Sequence, residues 1–224
     1  MTPYDEDLSR PRTELLHLLK TEESWPETLE RIARIACATI PGCSAGSVTL
    51  WREGQPYTVA SSDELAQSID DAQYDVMEGP CLDASRYGHT YVVDDMRDEP
   101  RWPTFSGVAA QRGALSSMSV PLVPRDEPIG ALNLYSTRPL GFEGAERAGR
   151  AFASQAAVAI SNARLYQASR ALVEGLERAL RESAEVEQAK GRLMAELGIP
   201  AEEAARRLSE NAPDGGPQPP TLEE

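Results

Sequence analysis

The chain has 224 residues, with 22 Lys and Arg against 36 Asp and Glu, a formal net charge of −14. Hydrophobic residues make up 41% and aromatics 6%, which is enough for a core and argues against a wholly disordered chain. The acidic balance argues against wrapping of DNA, no run approaches a membrane span, and the acidic Met1–Leu8 is not a secretory leader, so a cytoplasmic protein is expected.

Residues 1–23 are a polar N-terminal segment, whose Leu15, Leu16, Leu18 and Leu19 suit a short packing helix. Ser24-Trp25-Pro26-Glu27 is a helix entry signal: Ser at the cap, Pro in the first turn and Glu three residues on. Leu29, Ile32, Ala33, Cys37 and Ile40 then share one helical face, and Pro41-Gly42 stops it. Gly46–Trp51 alternates and is β-branched, so it reads as a strand, with Tyr57–Ser61 as its partner across a turn at 52–56. Asp63–Asp71 reads as a short polar helix, and 72–88 as irregular around Glu78-Gly79-Pro80-Cys81. Tyr91-Val92-Val93 is a short strand, and Pro100–Gly113 a helix with Trp102, Phe105 and Ala109 on one face. Leu115–Leu122 and Ile129–Ser136 are strands joined by the turn Pro124–Pro128. In the second strand Ile129, Ala131 and Asn133 face one side, while Gly130, Leu132, Leu134 and Tyr135 blur the alternation. That blurring suits a central strand covered on both faces.

From Glu143 to Leu197 there is no proline. Phe152, Ala156, Ala159, Ala163, Tyr166, Val173, Leu176 and Leu180 form a near-heptad seam. A continuous helix there would span about 80 Å, at ~1.5 Å per residue. A small sheet cannot bury so long a stripe, so pairing with the same helix of a second subunit is expected. Gly175 and Gly191 are its weak points. Gly198-Ile199-Pro200 breaks the helix, and Ala201–Glu210 restarts it with Ala204, Ala205 and Leu208 on one face. Asn211–Glu224 is rich in proline, glycine and acid and is expected to be disordered.

Three cysteines, Cys37, Cys43 and Cys81, make neither a disulfide framework nor a zinc site, and His17 and His89 are far apart. No cofactor or metal is expected. Nor is an enzyme, since no paired carboxylates, triad or phosphate loop appears. Cys81 follows Gly-Pro at a helix start, a place that can activate a thiol. It reads instead as a packing cysteine lining a pocket. Thiol chemistry needs a resolving partner, whereas Cys37 looks buried on its helix and Cys43 lies across the sheet. Trp102 and Phe105 are core anchors or one wall of a pocket, and Leu115–Ser119 and Asn133 supply polar groups to it.

Four phrases, Glu78–Ala84, Arg101–Phe105, Ser119–Leu122 and Gly130–Ser136, fall in the order that resembles the GAF modules of actinobacterial regulators, over residues 24–168. Further on, Val186-Glu-Gln-Ala-Lys-Gly-Arg-Leu-Met194 and the stretch from Gly198 to Leu208 resemble the ANTAR domain, a three-helix RNA-binding module of transcription antitermination. The resemblance implies an α+β protein: an antiparallel-sheet GAF sensor domain, then a long C-terminal coiled-coil helix leading into a small ANTAR-like helical module over 169–210. It implies a small-molecule effector, with Cys81, Trp102, Phe105, Met118 and Asn133 as candidate pocket residues. It also implies an RNA hairpin met by Gln188, Lys190, Gly191, Arg192 and Arg206, and a homodimer or a heterodimer with a related regulator. The signature of cyclic-nucleotide GAF domains is absent, so neither cGMP nor cAMP is expected. Where the ANTAR third helix belongs, the chain gives Asn211-Ala-Pro-Asp-Gly-Gly-Pro. Two alternatives therefore stand beside the antitermination reading. One is a sensor and dimerisation protein with a degenerate output that binds no RNA. The other is a GAF-type thiol enzyme that reduces free methionine sulfoxide.

Overall fold

The computed structural model of the protein describes residues 25–210, so the expectations for 1–23 and 211–224 lie outside the described residues. The chain divides into two compact units, one ending at Gln167 and the other beginning at Ala168.

The first unit is built on five strands: β1 (Ala45–Arg52), β2 (Gln55–Ser61), β3 (Tyr91–Val93), β4 (Ser116–Leu122) and β5 (Gly130–Ser136). They form one sheet in the order β2-β1-β5-β4-β3, and every pairing is antiparallel. All seven residues of β5 are buried, because β1 flanks it on one side and β4 on the other while helices cover both faces. This is the physical origin of the blurred alternation. Gly130 is dictated by the same crowding: a Cβ there would lie 1.9 Å from the Thr49 carbonyl oxygen on β1.

On one face, Val48, Leu50, Met118, Val120, Leu132 and Leu134 pack against α1 (Trp25–Thr39) and the start of α5 (Glu146–Leu197). The helices contribute Leu29, Ile32 and Ala36 from α1, and Phe152, Ala153, Ala156 and Ile160 from α5. Each large side chain removed from water here adds roughly 1.5–3 kcal/mol before entropy is charged. The other face carries α2 (Glu64–Val76), α3 (Pro80–Tyr87) and α4 (Pro103–Gln111). Its apolar part joins Ala66, Ile69 and Ala72 of α2 to Trp102, Phe105, Ala109 and Tyr135.

The segment 72–88 corrects the expectation of an irregular stretch. α2 runs on to Val76 because Ala72 and Gln73 are buried, and it stops at Met77 (φ 51°), whose N–H returns to the Gln73 and Tyr74 carbonyls. α3 then starts with Pro80 in its first turn and ends on Gly88 (φ 70°). Eight residues are about two turns, too few for a hydrophobic period to show. Nor is α2 simply polar: Asp63 caps it by accepting from the Ala66 N–H at 3.0 Å, while Asp70 lies fully buried.

Two backbone loops meet on the first face. Gly42 (φ 83°), in the bend after α1, lies so close to Gly141 that a Cβ would sit 1.7 Å from the Gly141 carbonyl oxygen.

In the second unit α5 continues as helix to Leu197, unbroken at Gly175 and Gly191. Between Ile160 and Leu180 its large apolar positions are uncovered: Leu165, Tyr166, Leu172, Val173, Leu176 and Leu180 are all exposed, Leu180 by 71%. Gly198 (φ 63°) ends the helix, returning its N–H to the Met194 carbonyl at 3.1 Å. α6 (Ala201–Glu210) follows, with Ala204 fully buried and Leu208 half-buried. Among the described residues no helix is long and apolar enough to cross a membrane.

Candidate functional site

Between the sheet and α2–α4 lies a dense polar network centred on Asp70. Its Oδ1 accepts from the Tyr135 hydroxyl at 2.6 Å and from Asn133 Nδ2 at 3.2 Å, and its Oδ2 accepts from Thr58 Oγ1 at 2.7 Å. Asn133 Nδ2 also reaches Thr49 Oγ1 at 2.9 Å and Ser47 Oγ at 3.2 Å, and its Oδ1 accepts from Ser119 Oγ at 3.1 Å. The Tyr74 hydroxyl lies 2.7 Å from Thr49 Oγ1 and 3.0 Å from Thr58 Oγ1. Burial pushes the Asp70 carboxyl up to about 6, against the pull of its hydroxyl donors. The Tyr135 and Tyr74 phenols are pushed up by burial and by the nearby carboxylate.

Gln73 links this network to α3. Its Nε2 donates to Tyr135 Oη at 3.0 Å, and its Oε1 accepts from the Cys81 N–H at 2.9 Å. Gly79 makes the bend possible at φ 149°, since a Cβ there would lie 2.2 Å from Gln73 Oε1. The phrases Glu78–Ala84 and Arg101–Phe105 are then stitched together. Glu78 Oε1 accepts from the N–H groups of Thr104 (2.9 Å) and Phe105 (3.2 Å), at the open end of α4. Asp83 Oδ2 accepts from Trp102 Nε1 at 2.9 Å, and the Arg101 guanidinium stacks 4.5 Å above the Trp102 ring. Both acids therefore hold α4 in place. Glu78→Ala is expected to cost about 1 kcal/mol, the worth of a helix cap, and Glu78→Gln much less because an acceptor remains. Urea unfolding of the two variants checks this.

The predicted pocket residues fall into three groups. Cys81 and Asn133 meet in the polar network through Thr49: the Cys81 thiol donates to Thr49 Oγ1 at 3.2 Å. Trp102 and Phe105 sit in the apolar cluster that includes Tyr135. Met118 lies on the opposite face, where a Cβ on Gly149 of α5 would come within 2.5 Å of its terminal methyl, so it is not brought together with Asn133. Sequence reasoning missed Asp70, Tyr135 and Gln73. The signal present was a polar triplet, Ser47, Thr49 and Asn133, on strand positions that point inward.

The thiols differ from expectation. Cys81 is fully buried, and burial raises its thiol to about 12, overriding the helix-start effect. Cys37 and Cys43, expected apart, are neighbours: their sulfurs are 3.0 Å from one another. The reason is the Pro41-Gly42 bend, which folds the chain back beside the end of α1.

The predicted RNA residues lie near the end of α5 and on α6. Gln188, Gly191 and Arg192 are exposed, and nothing lies near the Gly191 Cα where a side chain would project. Lys190 is half-buried and pairs with Glu187 at 2.5 Å. Arg206 pairs with Glu203 and Glu210, each at 2.7 Å.

A separate concavity of about 340 Å³ opens where β1 ends and β5 begins, lined by Trp51, Ser85, Arg86, Pro128, Ile129 and Arg164. The Arg86 guanidinium stands 5.7 Å over the Trp51 ring.

Known proteins resolve what this fold is. The GAF domain family matches residues 22–161, and the ANTAR domain family matches residues 174–216. No curated protein sequence matches the chain. Among solved structures, the nlh2 GAF domain of A. aeolicus in an inactive state is 10% identical with a TM-score of 0.54, covering 73% of this chain and 99% of that one. The free methionine-R-sulfoxide reductase of Neisseria meningitidis, in complex with its substrate, is 18% identical with a TM-score of 0.55, covering 73% and 91%. The fRMsr of Staphylococcus aureus in its reduced form is 15% identical with a TM-score of 0.52, covering 70% and 96%. At such identities the likeness is one of fold alone.

Proposed function

Because the chain belongs to the GAF domain family and carries an ANTAR domain behind that sensor fold, we propose that it is a signal-responsive regulator that binds RNA and acts in transcription antitermination. The pairing of a sensor domain with an output domain is that of a regulator and not of an enzyme. The observation that carries the reading is the path of α5. It begins in the core beneath the sheet, through Phe152, Ala156 and Ile160, and runs on as one helix into the ANTAR match.

In this reading a small-molecule effector enters between the sheet and α2–α4. There it competes for the hydrogen bonds of Asn133 and Cys81, with Trp102 and Phe105 at the apolar margin. The uncovered stripe from Leu165 to Leu180 pairs with the same stripe of a second copy or of a related regulator. The effector shifts the population between two pairings of these helices, because it binds one better than the other. The favoured pairing presents Gln188, Lys190, Gly191, Arg192 and Arg206 to a hairpin loop, where splayed bases and shape allow a small contact face. The domains that go with this reading are 24–168 and 169–210, and its compartment is the cytoplasm.

A second reading, a sensor and dimerisation protein whose output no longer binds RNA, is favoured by one observation: Lys190 and Arg206 are already neutralised by glutamates. A gel-shift titration of the full chain with a two-hairpin RNA over a range of salt separates the two. Salt-dependent binding is expected, with Lys190→Glu weakening it throughout and lowering the salt slope by about one. Absence of any complex with the native protein at low salt would overturn the RNA reading in favour of the second.

A further inference from the structure

Cys37 lies in the last turn of α1, and Cys43 just beyond the Pro41-Gly42 bend, six residues on. Their sulfurs are 3.0 Å apart, inside the van der Waals contact of two sulfur atoms. The Cys43 thiol donates to Cys37 Sγ and also lies 3.2 Å from the Ala45 carbonyl oxygen at the start of β1. Cys37 Sγ lies 3.7 Å from Ser62 Oγ, which itself accepts from the Gly46 N–H at 2.9 Å. Both cysteines are half-buried, within reach of a small solute, whereas Cys81 is sealed in the core.

We propose that Cys37 and Cys43 are a redox-active dithiol, a modification site at which a hydroperoxide closes an intramolecular disulfide between the end of α1 and the entrance of β1. The inference rests on the sulfur geometry and stands apart from the RNA reading. The chemistry balances in two steps. The Cys37 thiolate attacks one peroxide oxygen, the O–O bond breaks, and the departing hydroxide or alkoxide takes up the proton that Cys37 released, leaving as water or alcohol. The Cys43 sulfur then attacks the resulting sulfenic acid and displaces its hydroxide, which leaves with the Cys43 proton as water. The two sulfurs lose two electrons in all, and the peroxide gains them. The order follows from the hydrogen bonds. The Cys43 thiol donates to Cys37, which lowers the pKa of the attacking sulfur, while the donor keeps its own proton until the second step.

The sulfurs need only close from 3.0 Å to about 2 Å, the length of a disulfide bond. The residue enclosed by the new ring that matters most is Gly42, pressed against Gly141 shortly before α5 begins. Oxidation therefore acts on the bend that meets the loop leading into α5, and gives the sensor an input independent of its polar network.

The test uses the full chain, reduced and then treated with a moderate excess of hydrogen peroxide. Titration of thiols in denaturant should fall from three to one. Peptide mapping without reductant should show Cys37 joined to Cys43, and dithiothreitol should restore all three thiols. In Cys43→Ser the sulfenic acid has no resolving thiol, so dimedone should label Cys37. Survival of all three thiols, or a bond that involves Cys81 or joins two chains, would overturn the proposal. The native protein alone decides this, so failure of the variant to fold leaves the outcome intact.

Discussion

Gly79→Ala should lower the unfolding free energy by about 3 kcal/mol, a large share of what a domain of this size possesses. Two penalties combine. The backbone at φ 149° is one that side-chain-bearing residues rarely adopt, and the added methyl would lie 2.2 Å from Gln73 Oε1. Gln73 cannot swing aside cheaply. It is fully buried and held at both ends, by the Cys81 N–H and by Tyr135 Oη. Moving it would leave an N–H of α3 without its partner, at a further cost. Urea unfolding measures the loss. In a Gln73→Ala background the same substitution should cost clearly less, because the steric part has gone. Equal costs in the two backgrounds would refute the assigned contact.

Acidification from about pH 6.5 to about 4.5 should stabilise the fold, by about 2 kcal/mol, and Asp70→Asn should remove most of that gain. The folded carboxyl titrates at about 6, against an ordinary value of 3.8. Between those values the folded chain holds a proton that the unfolded chain has lost, so stability falls as pH rises through the window and levels off above it. The carboxylates held by arginines act with the opposite sign. Glu99, Asp95 and Glu203 are lowered by Arg101, Arg97 and Arg206, and their contributions fade only below the ordinary carboxylate range. Among the described residues, the interval from about 4.5 to 6 therefore belongs to Asp70. Denaturant midpoints of the native chain and the variant at the two pH values test this, and an unchanged pH response in the variant would exclude Asp70 as its source.

Much of the framework was legible because long elements carry long patterns. The helical face from Leu29 to Ile40 and the proline-free run ending at Leu197 each repeat a period several times, and the strands on either side of the Pro124–Pro128 turn are bracketed by turn residues. Pro80–Tyr87 was not legible, since two turns repeat nothing; only Pro80 at its start and Gly88 at its end marked it. Met118 shows how far a period-2 argument reaches. It alternates with Ser117 and Ser119, so it belongs to the opposite face from the polar triplet, although the resemblance places it among the same pocket candidates as Asn133. Asp70 was hidden for the opposite reason. An acid among Ser68, Asp71 and Gln67 looks solvated, and only the hydroxyls of Thr58 and Tyr135, donated from distant strands, reveal it as interior. Cys37 belongs to α1 and Cys43 to the approach to β1, which sets them apart in the sequence. The two-residue bend between those elements, visible in the sequence, reunites them.

The central place of β5 has a consequence for synthesis. Ser47 on β1 and Asn133 on β5 are 86 residues apart in the chain. The β1–β2 hairpin therefore leaves the ribosome with one edge open and waits for a neighbour that has not been made. Only when β5 slots between β1 and β4 does the sheet acquire its middle, and only when Phe152 and Ile160 follow is its lower surface roofed. A nascent chain halted before that point would present an unpaired strand edge to its surroundings. The sensor thus matures almost at the moment the output helix begins to appear.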